Sequence, residues 1–578
     1  MKKALLLLLV AVLAVSAFAC NKKNNLQGDE FLDQFQNVPD DGKPSWEFDQ
    51  SEYDFTWYLN ASWMEWPTNG IDMVSRVIRE KTGCNIEILT PADDSNTELS
   101  TMISSGSLPD VISVQAELLY ANQLADQGYV YSLDTLMERF APSMKPRYHE
   151  QQRDVYDWFK RGGQLYGIPN LSYSDYYLGD TKLAPNGGIL VREDWYNEVV
   201  TNIGEDMTTK ESFIKGCAYI KSRHANAIPV QLDPFIASGN QSVLWLSEYF
   251  AVPFEKENGE YNYQITDPRY EEVLTFLNSL YTGGYIADAN LTANTDSVTR
   301  NLSQGNVFVS MATPQNYNGS FRNCFEKGIT YVPLVLRNDA GDDPVLRDLR
   351  GKGYLLSMIT RKSARPDKII KVFDFLTSEE GQLLINFGVE NDTFIWDANH
   401  EKIVWTEKYL ADYENNDTTK YGFGLCNMLL NQAFFDKVAP AGTAAKKAYS
   451  IYINNLKRPL CPYSHDYNVS VLMPDTTRSD YFSYVEKREN VNNIWGRFLP
   501  GIISSASAGK AIEKYNSTVA SMKNNDLDFV VGFMNDSYAR AKTAMSVTKG
   551  WPPFRTGYTK ASTGPNGDFS YWQDAVHA

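Results

Sequence analysis

The chain has 578 residues, 43% of them hydrophobic, too many for one simple core and enough to fill two lobes or domains. It carries 54 Lys and Arg against 71 Asp and Glu, a net charge of −17, without clustered basic runs; this disfavours nucleic acid and anionic polymers and leaves neutral ligands open. The six cysteines (Cys20, Cys84, Cys217, Cys324, Cys426, Cys461) show no C-x-x-C spacing, so neither a zinc site nor a redox pair is supported.

Residues 1–20 begin with Lys2 and Lys3, continue as an apolar run from Ala4 to Val15 and end with small residues before Cys20, the layout of a cleaved signal and not of a spanning helix. Its removal leaves 52 basic against 71 acidic side chains, a mature charge of −19. The segment resembles a bacterial lipoprotein signal, which implies a diacylglyceryl group on the Cys20 thiol and a place in the cell envelope, outside the cytoplasm. Ala17 departs from that pattern, which carries leucine there. Simple cleavage after Ala19 is the alternative. No later stretch has membrane-spanning length, so the membrane would be reached by lipid alone. Residues 21–50 are polar and acidic and read as a flexible tether with a root-mean-square reach of about 30 Å.

Beyond the tether, strand and helix alternate. Tyr53 to Leu59 is strand-like; Ile71, Val74, Val77 and Ile78 recur at helical spacing up to Gly83; Asn85 to Leu89 returns to period two. Ser95 and Glu98 form a capping-box pattern before Leu99, Met102 and Ile103, and Gly106 precedes the strand Asp110 to Val114. This β-α-β-α-β order predicts an α/β fold with a largely parallel sheet covered by helices. Further on, Val273, Leu274, Leu277, Leu280 and Tyr281 line one helix, and Ile369, Ile370, Val372, Phe373 and Leu376 another, followed by the cap pattern Thr377-x-x-Glu380. Asn306 to Met311 and Ile329 to Leu336 read as strands between them.

Several segments together resemble the extracellular solute-binding proteins of bacterial ABC importers, in particular the large carbohydrate and oligosaccharide lipoproteins. These are TELSTMISSGSLPDVISV (97–114), GGQLYGIPN (162–170), ILVREDWYNEV (189–199), PRYEEVLTFLNSLYTGGYIADAN (268–290), NLSQGNVFVSM (301–311) and PDKIIKVFDFLTSEEGQLLINFG (366–388). Each motif is weak alone; their shared order over roughly 300 residues carries the likeness. It implies a two-lobed, periplasmic-binding-protein-like fold of type II with the ligand cleft between the lobes. Lobe 1 would comprise 51–169 with 330–392 and lobe 2 would comprise 170–329 with 393–578. Capture by lobe closure and delivery to ABC permease subunits in the membrane follow from the family, as does a monomer without a cofactor or metal.

Aromatic residues make up 13% of the chain, including 35 Tyr and 12 Trp. Sugar rings stack on such side chains, while their hydroxyls need amide and carboxylate partners once water is excluded. Trp63, Glu65 and Trp66 follow the carboxyl end of the first strand, where open α/β sheets bind ligands. The resemblance adds Gln115, Asn170, Tyr173, Asp175, Asp233, Trp245, Tyr317 and Trp396 as ligand contacts. Packing between loops is the competing reading for the tryptophans, and burial as plain structure for Asp233 and Trp245. Arg192 and Asp194 read as a structural ion pair or cap.

The five histidines are scattered, with no H-E-x-x-H, G-x-S-x-G or P-loop, so no catalytic residue is expected. A secreted glycoside hydrolase or lyase and a SusD-like glycan-binding lipoprotein are the alternatives. The first has aromatic clefts and carboxylates in common with a binder; the second is built mainly from paired helices.

Overall fold

The computed structural model describes residues 26–544, apart from 63–69, 93–95, 116–118, 179–182, 257, 348–350, 352, 425–426, 441–448, 450–451, 454–455, 466–473 and 476–477. The strands, in chain order, are β1 (Tyr53–Leu59), β2 (Cys84–Leu89), β3 (Val111–Gln115), β4 (Ile168–Pro169), β5 (Leu190–Arg192), β6 (Ile228–Gln231), β7 (Val307–Ser310), β8 (Tyr331–Pro333), β9 (Leu346–Arg347), β10 (Leu355–Ile359), β11 (Phe394–Trp396), β12 (Ile403–Trp405) and β13 (Ser464–His465). The chain forms two compact units: Met1–Gly179 with Lys352–Ala439, and Asp180–Gly351 with Pro440–Ala578.

Unit 1 is built on a sheet ordered β2-β1-β3-β10-β4. The first three strands run parallel, as their crossover helices Met73–Thr82 and Thr97–Ser105 require, while β10 is antiparallel to both β3 and β4. The sheet is therefore mixed. Local signals explain the first helix: the Asp72 carboxylate caps Ser75 N–H, and Gly83 takes φ 72° at the far end. A Cβ at Gly83 would also strike the Gln50 backbone. Asn96 directly precedes the second helix, whereas Ser95 lies outside the described residues. Helix Glu379–Phe387 is capped by Ser378, one residue beyond the expected Thr377.

Helix Pro366–Thr377 lies in the core of unit 1 and is buried on every side from Pro366 to Leu376, Lys368 and Asp374 included. The expected apolar face accounts for only half of this. Residues 26–50 share in covering this helix with helices Met73–Thr82 and Leu133–Phe140, and are not a free tether. Leu32 is fully buried, Trp46 packs edge-on against Phe375, and Arg365 pairs with Asp49 at 2.8 Å. Asp33 and Asp40 meet Arg139 and Lys145, each at 3.0 Å. Acidic residues that read as solvent-loving thus find fixed basic partners that are distant in sequence.

Unit 2 holds a sheet ordered β6-β7-β5-β8, with β6 and β7 parallel and β5 antiparallel to both neighbours. Helix Tyr270–Thr282 buries Val273, Leu274, Leu277 and Leu280, while Tyr281 stays partly open. Helices Tyr481–Ile503 and Ala508–Lys523 pack on it, and helix Leu527–Ala544 packs on both of them. Asn278 Nδ2 donates to the carbonyls of Ile503 and Ser505 at 3.0 and 2.6 Å. The three helices between Tyr481 and Ala544 thus form a helical layer of unit 2.

The chain changes unit at other places than the resemblance implied. Residues 170–179 stay in unit 1, because Ser172 pairs with Asn431. Residues 330–351 stay in unit 2, because β8 pairs with β5. Residues 393–439 belong to unit 1, where the β11-β12 hairpin lays Phe394 and Ile403 against Phe387 and Phe434. A paired-helix architecture of the SusD-like kind does not fit two such sheets.

Candidate functional site

In unit 1 the carboxyl end of the parallel strands meets the segments through which the chain leaves the unit. Gln115, the exposed last residue of β3, is in register with Leu355 at the start of β10. On the other side of Leu355 sits Asn170. Its Oδ1 accepts hydrogen bonds from Leu355 N–H at 2.8 Å and Tyr354 N–H at 3.3 Å, and its own N–H donates to the Leu355 carbonyl. Gly353, at φ 109°, makes this approach possible, since a Cβ there would overlap the Asn170 carbonyl. Two expected site residues, Gln115 and Asn170, therefore flank one residue at one end of the sheet.

Asn170 is fully buried, and its Nδ2 faces the Tyr354 phenol without closing a hydrogen bond. Ser174 Oγ, also fully buried, has no partner either. Unpaired buried donors cost stability, so a cluster of them marks a place for water or a ligand hydroxyl. Next to them the Tyr173 hydroxyl donates to Asp436 Oδ2 at 2.9 Å, and Gln432 holds the other oxygen at 2.7 Å. Asp175 is exposed at the start of helix Asp175–Leu178, and its neighbour Tyr176 is 60% exposed. An exposed phenol, an exposed carboxylate and a tyrosine-supported carboxylate are the groups that a sugar face and its hydroxyls require.

A small recess beside this face, lined by Arg147, Gln151, Gln152, Tyr177, Gln382 and Asn431, has room for about one water. It is too small for a sugar ring. Arg147 Nε finds no partner there, although the guanidinium is paired with buried Asp374.

In unit 2, Asp233, Trp245 and Tyr317 converge on Thr313. Asp233 Oδ2 accepts from Thr313 N–H at 2.9 Å and from Oγ1 at 2.7 Å, Trp245 Nε1 donates to the same Oγ1 at 3.1 Å, and the Tyr317 hydroxyl also bonds Asp233. All three are buried, Trp245 at 5% exposure with its indole against Gly187 and Arg347 5.7 Å from its centroid. Burial raises the Asp233 pKa above its ordinary value, making the carboxyl a weaker acid, against the pull of these hydrogen bonds. The loop facing the indole is held by Lys457, whose Nζ donates to the carbonyls of Pro185 and Asn186 at 2.6 and 3.0 Å; burial brings this ammonium down to about 8. The cluster shapes the loop around Thr313 and offers no open ring.

Trp396 lies in unit 1, half-buried, with its ring 4.4 Å from that of His400. Trp63, Glu65, Trp66 and Cys20 lie outside the described residues. Arg192 and Asp194 form the expected ion pair, with the guanidinium 4.0 Å from the Trp195 ring centroid. Among the described residues no group of His, Cys, Asp and Glu is arranged to hold a metal ion, and no helix is long and apolar enough to cross a membrane.

No family model and no curated protein matches the chain. Solved structures do. A human-milk-oligosaccharide (HMO) binding, ABC-transporter-associated solute-binding protein from Bifidobacterium longum infantis has a TM-score of 0.66 at 14% identity, covering 84% of this chain and 98% of its own. The S. pneumoniae ABC-transporter substrate-binding protein FusA in complex with kestose scores 0.62 at 14% identity, over 85% and 100%. Alginate-binding protein AlgQ2, without calcium ion, scores 0.60 at 16% identity, over 86% and 100%. The chain has the fold of an ABC-transporter solute-binding protein. Within this solute-binding fold, sequence reasoning missed Tyr176, Tyr354 and Asp436. The pair Tyr176-Tyr177 was a signal for the first, since adjacent residues of one helix point about 100° apart and cannot both face the core. Asp436 carried no local signal, because its link to Tyr173 spans 263 residues.

Proposed function

We propose that the chain is the substrate-binding protein of an ABC importer, capturing a carbohydrate, in the first instance an oligosaccharide, and delivering it to membrane permease subunits. The carrying observation is the sheet-end cluster of Gln115, Asn170, Tyr173, Asp175, Tyr176 and Asp436, set in a fold whose solved examples include proteins titled for milk oligosaccharide, kestose and alginate. Trp63, Glu65 and Trp66, which follow the end of β1 in the same sheet, belong to this reading as further contacts, and Trp396 as an outlying one. Binding is by lobe closure, each bound state favoured only by its extra contacts to the ligand. The protein is a monomer and not an enzyme, held outside the cytoplasm by a diacylglyceryl group on Cys20.

The test is a thermal-shift and calorimetry panel of fructo-, milk, alginate and N-glycan oligosaccharides on the purified chain. One class should raise the melting temperature and bind without turnover. A flat panel on ligand-free protein overturns the carbohydrate assignment, and product formation overturns the non-enzymatic one. Scattering with the bound sugar should show a smaller radius; an unchanged radius counts against closure.

A further inference from the structure

Residues 26–50 have a consequence for how the body meets a membrane. At the point where the described chain begins, Leu26 packs against the hydrophobic cluster around Ile112 and Val130. Gln27 is held by three hydrogen bonds. Its N–H donates to the Arg361 carbonyl at 3.1 Å, its carbonyl accepts from Arg361 Nη1 at 3.0 Å, and its Oε1 accepts from Tyr131 Oη at 3.1 Å, while the Arg361 guanidinium lies 4.5 Å from the Tyr131 ring centroid. Arg361 also pairs with Asp29 at 2.7 Å. Downstream, Val38 N–H donates to the Arg139 carbonyl and Ser45 N–H to Ser143 Oγ, at 2.9 and 2.8 Å. The segment is a strap locked to unit 1 at its very first residues.

We infer that this strap fixes the lipid anchor to one corner of unit 1, so that a bilayer surface faces the Gln27–Tyr131–Arg361 corner at close range. The inference rests on lipidation of Cys20 as proposed above. Six residue steps separate Cys20 from Leu26, an upper reach of about 22 Å when fully extended. A chain free as far as Tyr53 would have a fully extended reach more than five times longer. Lys22 and Lys23 lie inside the short link and favour an anionic lipid surface. The partner is thus the headgroup layer of the membrane in which the anchor sits, and unit 1 is the body tied to it.

The experiment uses the full lipidated chain on supported bilayers of phosphatidylcholine with about one fifth phosphatidylglycerol, read by neutron reflectometry. The water gap between headgroups and protein should be no more than about 22 Å. It should widen when a Gly-Ser segment of about twenty residues is inserted between Asn25 and Leu26, and also in Arg361→Ala with Leu32→Asp, which releases the strap. A lipidated chain whose gap ignores the insert, or whose native gap exceeds the limit, overturns the inference. Hydrogen exchange gives a readout independent of lipid: the amides of Gln27 and Val38 should be protected, and their complete exchange within seconds overturns the strap itself. An N-terminal peptide of unlipidated mass overturns the anchor reading instead.

Discussion

The backbone N–H of Leu355 donates to Asn170 Oδ1 at 2.8 Å, tying the strand through which the chain re-enters unit 1 to the residue after the strand from which it departs. Asn170→Ala removes the acceptor of the buried Leu355 N–H and of the partly buried Tyr354 N–H. The expected cost is about 2–4 kcal/mol of unfolding free energy, read from urea midpoints. Carbohydrate affinity should fall with it, whereas Asn170→Asp, which keeps the acceptor, should retain more of the stability.

The Tyr176 ring is 60% exposed and lies edge-on to Tyr177, 5.0 Å between centroids. Tyr176→Ala should leave the melting temperature nearly unchanged and weaken the bound oligosaccharide about tenfold by calorimetry, the loss of one stacked face. Unchanged affinity would remove this face from the site.

The Trp245 indole needs the missing side chain of Gly187, whose Cβ would overlap the ring. Gly187→Ala should destabilise unit 2 by about 1–3 kcal/mol through displacement of the indole and loss of its bond to Thr313. Thermal denaturation checks this, and Trp245→Phe, which also breaks the Thr313 bond, should fall between the two.

Asp233 gives stability a defined pH dependence. Burial raises its folded pKa above the ordinary 3.8, against the hydrogen bonds it accepts from Thr313. The folded state keeps this proton where the unfolded chain has released it. The group's contribution is therefore full below 3.8 and is lost as pH rises through the folded value. Asp233→Asn preserves an acceptor for Thr313 and should flatten that slope. Stability at about pH 7 should equal or exceed that of the natural chain, measured by urea titration across the range.

Much of the fold was legible in short stretches. Gly83 ended the first helix as expected, and the strand runs read at Tyr53–Leu59 and Asp110–Val114 became neighbouring parallel strands. The resemblance pointed to Asn170, Tyr173 and Asp175; Asn170 bonds the start of β10, Tyr173 bonds Asp436, and Asp175 opens a short helix. Asp233, Trp245 and Tyr317 came together, but around Thr313 as a buried clamp. Polarity and aromaticity look the same in a ligand contact and in a satisfied buried cluster; only the partners tell them apart.

The sequence by itself determined the α/β alternation and the kind of groups a site could offer, because helical and strand periodicity and side-chain chemistry are local properties. Tertiary structure alone decided that 393–439 returns to unit 1, that β8 stays in unit 2 and that residues 26–50 are a strap. The reason is the range of the forces involved. Asp33, Asp40 and Asp49 look like solvated tether charges until Arg139, Lys145 and Arg365 are brought to them from about a hundred to more than three hundred residues away.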